Sequence, residues 1–169
     1  MFETRRSIRK YKNVPIEKEK LDKIIKNTLY SPTSNGRKTW EFIVVQDKQK
    51  IEEISKVRDH SSEFLKGAAC VIIVLGDSRV SDVWVEDTSI AAFAIQLAAH
   101  EQGLGTCWVQ LRRREHDENL SAPDYIKERF SIPEHLEVEC AIGLGYPDEE
   151  KTPHVLTGEL IAKVHYENY

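Results

Sequence analysis

Residues 68–76 read AACVIIVLG, nine positions without a charged or amide side chain. The run has strand length and is rich in β-branched residues, yet it lacks the apolar/polar alternation of a strand with one wet face. A strand of this kind is covered on both sides, so the chain must place layers above and below a sheet. Residues 86–102, EDTSIAAFAIQLAAHEQ, supply material for one such layer. They are apolar nearly all round, which predicts a buried central helix, and Gly103 provides its stop.

The remaining elements follow from shorter patterns. Leu21, Ile24, Ile25 and Leu29 recur at helical spacing between Pro15 and Tyr30, so an amphipathic helix is predicted there. It leads into the polar loop SPTSNGRKTW and then the strand-like EFIVVQ. Residues 47–66 read as helical and charged, TCWVQL as a strand, RRREHDEN as a loop, 124–130 as a short helix and LEVECAIGLG as a last strand. Residues 155–169 have no strong amphipathic pattern. Leu160, Ile161 and Val164 lack apolar partners of their own, and the segment is expected to be an arm that packs on another chain.

A chain of 169 residues is expected to be one domain, 1–169, burying roughly 70% of its unfolded surface. Its 40% hydrophobic and 31% charged residues are those of an ordinary soluble globular protein. The formal charge of -4 argues against a nucleic-acid module, which usually carries a basic surplus. The opening MFETRRSIRK has no apolar signal core and no stretch approaches a membrane span, so the expected location is the cytoplasm. Cys70, Cys107 and Cys140 each sit in an apolar run and are expected to be buried thiols. The histidines are scattered, His100 lacks the second histidine of HExxH, and no metal site is expected.

Against this acidic background RRSIRKY, residues 5–11, concentrates Arg5, Arg6, Arg9 and Lys10. Arginine meets phosphate oxygens with a planar fork of donors, and Ser7 with nearby backbone N–H groups can complete an anion cradle. In an extended segment Arg5, Ser7 and Arg9 project to one side and Arg6 and Ile8 to the other, whereas in a helix Arg5 and Arg9 share a face. Either geometry lets Arg5 and Arg9 converge on one phosphate; the alternative is a solvated basic segment. Gly103-Leu-Gly105 and Gly143-Leu-Gly145 do not continue as GxGxxG, so no Rossmann site is indicated. Neither GxxxxGK[ST] nor GxSxG occurs. Residue chemistry alone therefore reaches an α/β domain with the means to bind a small phosphate-bearing ligand, the solvated segment remaining the alternative.

Four segments in order, RRSIRKY, SPTSNGRKTWEFIVV, DTSIAAFAIQLAAHEQGLGTCWV and AIGLGYPDEEK, resemble the FMN-dependent nitroreductase family over nearly the full length. The resemblance implies an α+β fold with layered α/β character: a sandwich with a central mixed or antiparallel sheet flanked by helices, forming an intertwined homodimer with FMN between the chains. By the same resemblance Arg5, Arg6, Ser7 and Arg9 hold the phosphate and ribityl side. Pro32, Thr33, Ser34, Asn35, Gly36 and Lys38 would line the isoalloxazine from the partner subunit. Gln110 and Leu111 would run beside the ring, with Gly145 and Lys151 returning to the phosphate end. Gly36 and Lys38 replace the Asn and Gln usual in family loops; a cation at Arg37 or Lys38 either favours the anionic reduced ring or faces solvent.

The implied activity is ping-pong oxidoreduction, NADH or NADPH giving a hydride to FMN and a nitroaromatic, quinone or related acceptor receiving the electrons. The chemistry then belongs to the flavin, and no protein residue is expected to act as a catalytic acid or base. Trp40, Trp84 and Trp108 offer stacking surfaces or core bulk. The alternative is a flavin-binding or sensing protein without efficient turnover.

Overall fold

The run at residues 70–76 sits at the middle of the molecule because it has no charged or amide side chain to face water. In the computed structural model, which describes residues 1–169, it is β2 (Cys70–Asp77) of a four-stranded antiparallel sheet with β1 (Trp40–Val45), β3 (Gly105–Gln110) and β4 (Leu136–Gly145), ordered β1-β2-β4-β3. Val71, Ile73 and Leu75 point to one face, into a core shared with Ile51, Ile54, Leu65, Tyr125 and Ile126. Cys70, Ile72 and Val74 point to the other, against Leu21, Ile24, Ala92 and Ile95. Double coverage is thus met by α2 (Lys48–Ser55) and α4 (Ala122–Phe130) below, and by α1 (Lys18–Thr28) and α3 (Trp84–Glu101) above. All three cysteines are buried free thiols.

Several boundaries differ from the sequence expectation, each for a local reason. The helix expected over 15–30 spans only Lys18–Thr28, leaving Pro15 outside it. The helix expected over 47–66 ends at Ser55, after which only a 3-10 turn at Glu63–Gly67 forms. Ser62 accounts for the break: its hydroxyl proton is shared between the carbonyl oxygens of Ser55 (2.8 Å) and Arg58 (2.9 Å), and its oxygen accepts from the Arg58 N–H (3.0 Å). The chain is folded back before a further helical turn can form. The stop at Gly103 is as expected, with φ 76° and the Leu104 N–H reaching back to Ala99 O at 3.0 Å. β4 carries a bulge at Glu139, since Val74 pairs with Cys140 but Leu75 with Val138.

The central helix departs from expectation in one respect. Its inner face is buried, but Ile90 (46% exposed) and Phe93 (40% exposed) on α3 lie open to solvent, with Phe2 beside the Phe93 ring. Every residue from 151 to 169 is exposed, including Val155, Leu156, Leu160, Ile161 and Val164, around a single helical turn α5 (Gly158–Ile161). No helix is long and apolar enough to cross a membrane.

Candidate functional site

The free edge of β3 positions the basic segment. Ser7 bridges Thr106 in parallel sense, and the Ile8 N–H donates to Thr106 O at 2.9 Å. Ile8 is buried against Gly105, where a Cβ would stand 2.7 Å from the Ile8 Cβ. The second glycine of Gly-Leu-Gly therefore exists for close approach and allows RRSIRKY to lie against the sheet. Three residues after Ile8, the Tyr11 ring covers Gly145, where an added Cβ would meet its Cδ1 at 2.8 Å, and the Tyr11 hydroxyl donates to Ile8 O at 2.6 Å. Burial pushes the Tyr11 phenol far above its ordinary range, so it serves as a neutral donor locking the segment.

The segment is extended, but strict alternation does not describe it. Arg6 lines the same open cavity as Arg5, Ser7 and Arg9, together with Lys151 and His154. Arg6 therefore does not face away from its neighbours: Ser7 is the one residue of the segment paired with β3, Tyr11 pairs instead with Pro147 after β4, and Arg6 turns toward that following chain. That chain is held by Tyr11 and Lys10, through the pairing of Tyr11 with Pro147 and the Asp148 N–H to Lys10 O (2.9 Å). Arg6 Nη1 donates to the Thr152 carbonyl, and the His154 N–H to Glu3 O at 2.8 Å.

Glu149 is the acid of this cluster, and sequence reading missed it. Its Oε1 accepts the backbone N–H groups of Arg9 (2.5 Å) and Lys10 (3.1 Å), and its Oε2 lies 2.8 Å from Lys151 Nζ. The Arg9 N–H first, and then Lys151, pull its carboxyl down to about 2. An adjoining cavity brings Arg5, Arg6, Glu149 and Lys151 beside Thr4 and His100. Thr4 Oγ1 is 2.8 Å from His100 Nε2, and burial lowers the imidazole pKa. Four cations are thus answered by one carboxylate, and that carboxylate already engages backbone N–H groups in the manner of an anion. The only hint of Glu149 in sequence was its place two residues before Lys151.

The other residues singled out by sequence are elsewhere. Pro32, Thr33, Ser34, Asn35, Gly36 and Lys38 border neither cavity. They form a loop near the N-terminal end of α3, with a 3-10 turn at Ser34–Gly36 and positive φ at Asn35 (51°), Gly36 (68°) and Lys38 (52°). Arg37 and Lys38 are exposed. Gln110 spends both ends of its amide locally, accepting from Trp108 Nε1 (2.9 Å) and donating to Arg112 O (3.0 Å). The Leu111 side chain is fully buried in the lower core. Trp40 is buried, while Trp84 and Trp108 are half-buried.

The chain matches the model of the nitroreductase family at residues 2–63 and 55–146. It is 36% identical over 155 residues to a candidate NADH dehydrogenase/NAD(P)H nitroreductase of Archaeoglobus fulgidus, covering 89% of this chain and 86% of that protein. A protein of the same description from Methanothermobacter thermautotrophicus is 38% identical over 151 residues, covering 88% and 76%. Among solved structures, an FMN-dependent nitroreductase from Clostridium difficile superimposes with a TM-score of 0.97 at 50% identity, over 99% of this chain and 98% of that one. With a family match that spans most of its length, two relatives above 30% identity and a superposition this close, the chain belongs to the nitroreductase family.

Proposed function

We propose that this protein is an FMN-dependent NAD(P)H oxidoreductase that passes electrons from NADH or NADPH to a nitroaromatic, quinone or related oxidised acceptor. The observation that carries the reading is the convergence of Arg5, Arg6, Ser7, Arg9 and Lys151 on one open cavity of about 300 Å³. This donor set fits a phosphate monoester: guanidinium forks, an ammonium and a hydroxyl surround a space with no carboxylate in its lining, and the nearby Glu149 is engaged by the Arg9 and Lys10 N–H groups and by Lys151. FMN, when bound, supplies the two-electron exchange between nicotinamide and acceptor.

The chain's own residues would then perform three tasks. Arg5, Arg9 and Lys151 bind the phosphate electrostatically, and Ser7 orients it. Ile8 and Tyr11 hold these donors rigid, so little ordering is needed on binding. The loop Pro32–Lys38 lies outside the cavity of its own chain and would complete the ring end of the site in a second copy. The open apolar face at Ile90 and Phe93 and the exposed arm 155–169 support a homodimer, because each is surface that association would remove from water.

The test is the absorption spectrum of purified protein, followed by stopped-flow mixing with NADH and with NADPH. Bound flavin that bleaches and then reoxidises with acceptor is the expected result. Colourless protein that takes up no added FMN refutes the reading, and flavin that neither donor bleaches leaves a flavin-binding protein without turnover.

A further inference from the structure

Asp87, in the first turn of α3, is only 2% exposed and faces the loop that leads into β1. Its Oδ1 accepts the Ser34 N–H at 2.8 Å and its Oδ2 accepts the Thr39 hydroxyl at 2.9 Å. These partners are the two ends of the loop that carries Asn35, Gly36 and Lys38 at positive φ. Within the loop, Thr33 Oγ1 accepts the Lys38 N–H at 2.9 Å, and the Thr39 carbonyl accepts the Asp77 N–H at 2.8 Å. Non-glycine residues hold left-handed conformations only where surrounding contacts over-determine them. Asp87 supplies the contacts that reach the loop from α3.

Its place depends on Gly76, at the end of β2. A Cβ there would stand 2.7 Å from Trp84 and 2.9 Å from Thr88, so the bare glycine lets the first turn of α3 settle onto the strand. The carboxylate therefore arrives from a packed helix seated on the sheet, without the slack of a second loop. At this end of a helix, negative charge is also favoured by the backbone dipoles.

We propose that Asp87 is a positioning residue: a buried carboxylate that clamps both ends of the 34–39 loop and holds its central residues in the shape that borders the flavin ring of the partner subunit. This rests on the reading of Pro32–Lys38 as a flavin-lining loop. The clamp needs one acceptor for the Ser34 N–H and one polar partner for the Thr39 hydroxyl on a short side chain; Asn supplies both, its amide oxygen accepting from Ser34 and its NH2 donating to the Thr39 oxygen, while Ala supplies neither.

The experiment uses the full chain loaded with FMN, as wild type, Asp87→Ala, Asp87→Asn and Thr39→Val. Trypsin cleavage after Arg37 and Lys38, followed by mass spectrometry, reads the loop without reference to flavin; FMN titration and steady-state kinetics read the site. For Asp87→Ala, cleavage at these two positions is expected to rise about tenfold or more and FMN to bind about tenfold more weakly, the scale of a lost charge-assisted hydrogen bond. Asp87→Asn should return both to within about threefold of wild type. If Asp87→Ala does not fold, Thr39→Val, which removes one of the two contacts, should shift both readouts in the same direction by a few-fold. Wild-type cleavage in Asp87→Ala, or in Thr39→Val where the alanine variant does not fold, overturns the clamp. Faster cleavage with unchanged FMN affinity and turnover overturns the positioning role. Failure of wild-type protein to bind FMN is a different result and refutes the functional reading, whatever trypsin reports about the loop.

Discussion

Replacing Gly105 with alanine tests how the site is built, because the added methyl meets structure that cannot yield cheaply. The new Cβ would lie 2.7 to 2.8 Å from Cβ, Cγ1 and Cγ2 of Ile8. Ile8 Cβ is tied to the backbone, so the RRSIRKY segment itself must move off β3. Forcing atoms into a packed contact of this kind costs about 1–3 kcal/mol. Lifting the segment also weakens the Ile8 N–H bond to Thr106 O, now 2.9 Å and worth about 0.5–1.5 kcal/mol net. The same displacement draws Arg5, Ser7 and Arg9 from the cavity they share with Lys151. With charged hydrogen bonds at about 1.5–3 kcal/mol, FMN affinity should fall about 10- to 100-fold.

Two assays decide the matter: urea unfolding of the apoprotein and FMN titration by quenching of flavin fluorescence. Gly103→Ala is the control. Gly103 has φ 76° and nothing within 4 Å of an added Cβ, so it should lose about 1 kcal/mol through backbone strain and leave the segment in place. If Gly105→Ala unfolds like wild type and binds FMN equally well, the close approach of Ile8 to β3 does not position the basic cluster.

Other changes probe separate parts of the same structure. Arg5→Ala and Arg9→Ala should each weaken FMN binding about tenfold or more while leaving thermal stability nearly unchanged, as measured by titration and melting. The stability gap between wild type and Glu149→Gln should be full above pH 4.5 and close as pH falls toward 2, measured by urea unfolding across that range; the carboxyl is depressed in the folded state, so protonation removes its benefit. Ile95→Ala, at a fully buried position on α3, should cost about 2–5 kcal/mol in unfolding free energy. Phe93→Asp, on the open face of the same helix, should spare the fold of the single chain and reduce the mass seen by sedimentation to that of one chain.

Much of the scaffold was legible in the residues. LEVECAIGLG predicts the last strand at its observed bounds, the short helix expected over 124–130 forms with its start two residues earlier at Ala122, and Gly103 marks the stop of the central helix. The end of α2 was not legible, because it depends on the Ser62 hydroxyl reaching Ser55, seven positions back. Of the site, the basic cluster was visible as composition. Glu149 and Asp87 were not: an acid in DEEK and an acid in the first turn of a helix both look like ordinary solvated charges.

By itself the sequence determined which segments must be buried and with what period, since burial and periodicity are local properties of a chain. It therefore settled the two-faced central strand, the helices that cover it and the supply of cations near residue 5. Only the tertiary structure decided that Arg9 meets Glu149 across 140 residues, that Ile8 rests on Gly105 and that Asp87 grips both ends of the 34–39 loop. Such meetings depend on strand order and on which glycines permit close approach, and side chains distant in sequence come together only after the sheet has brought their backbones into register.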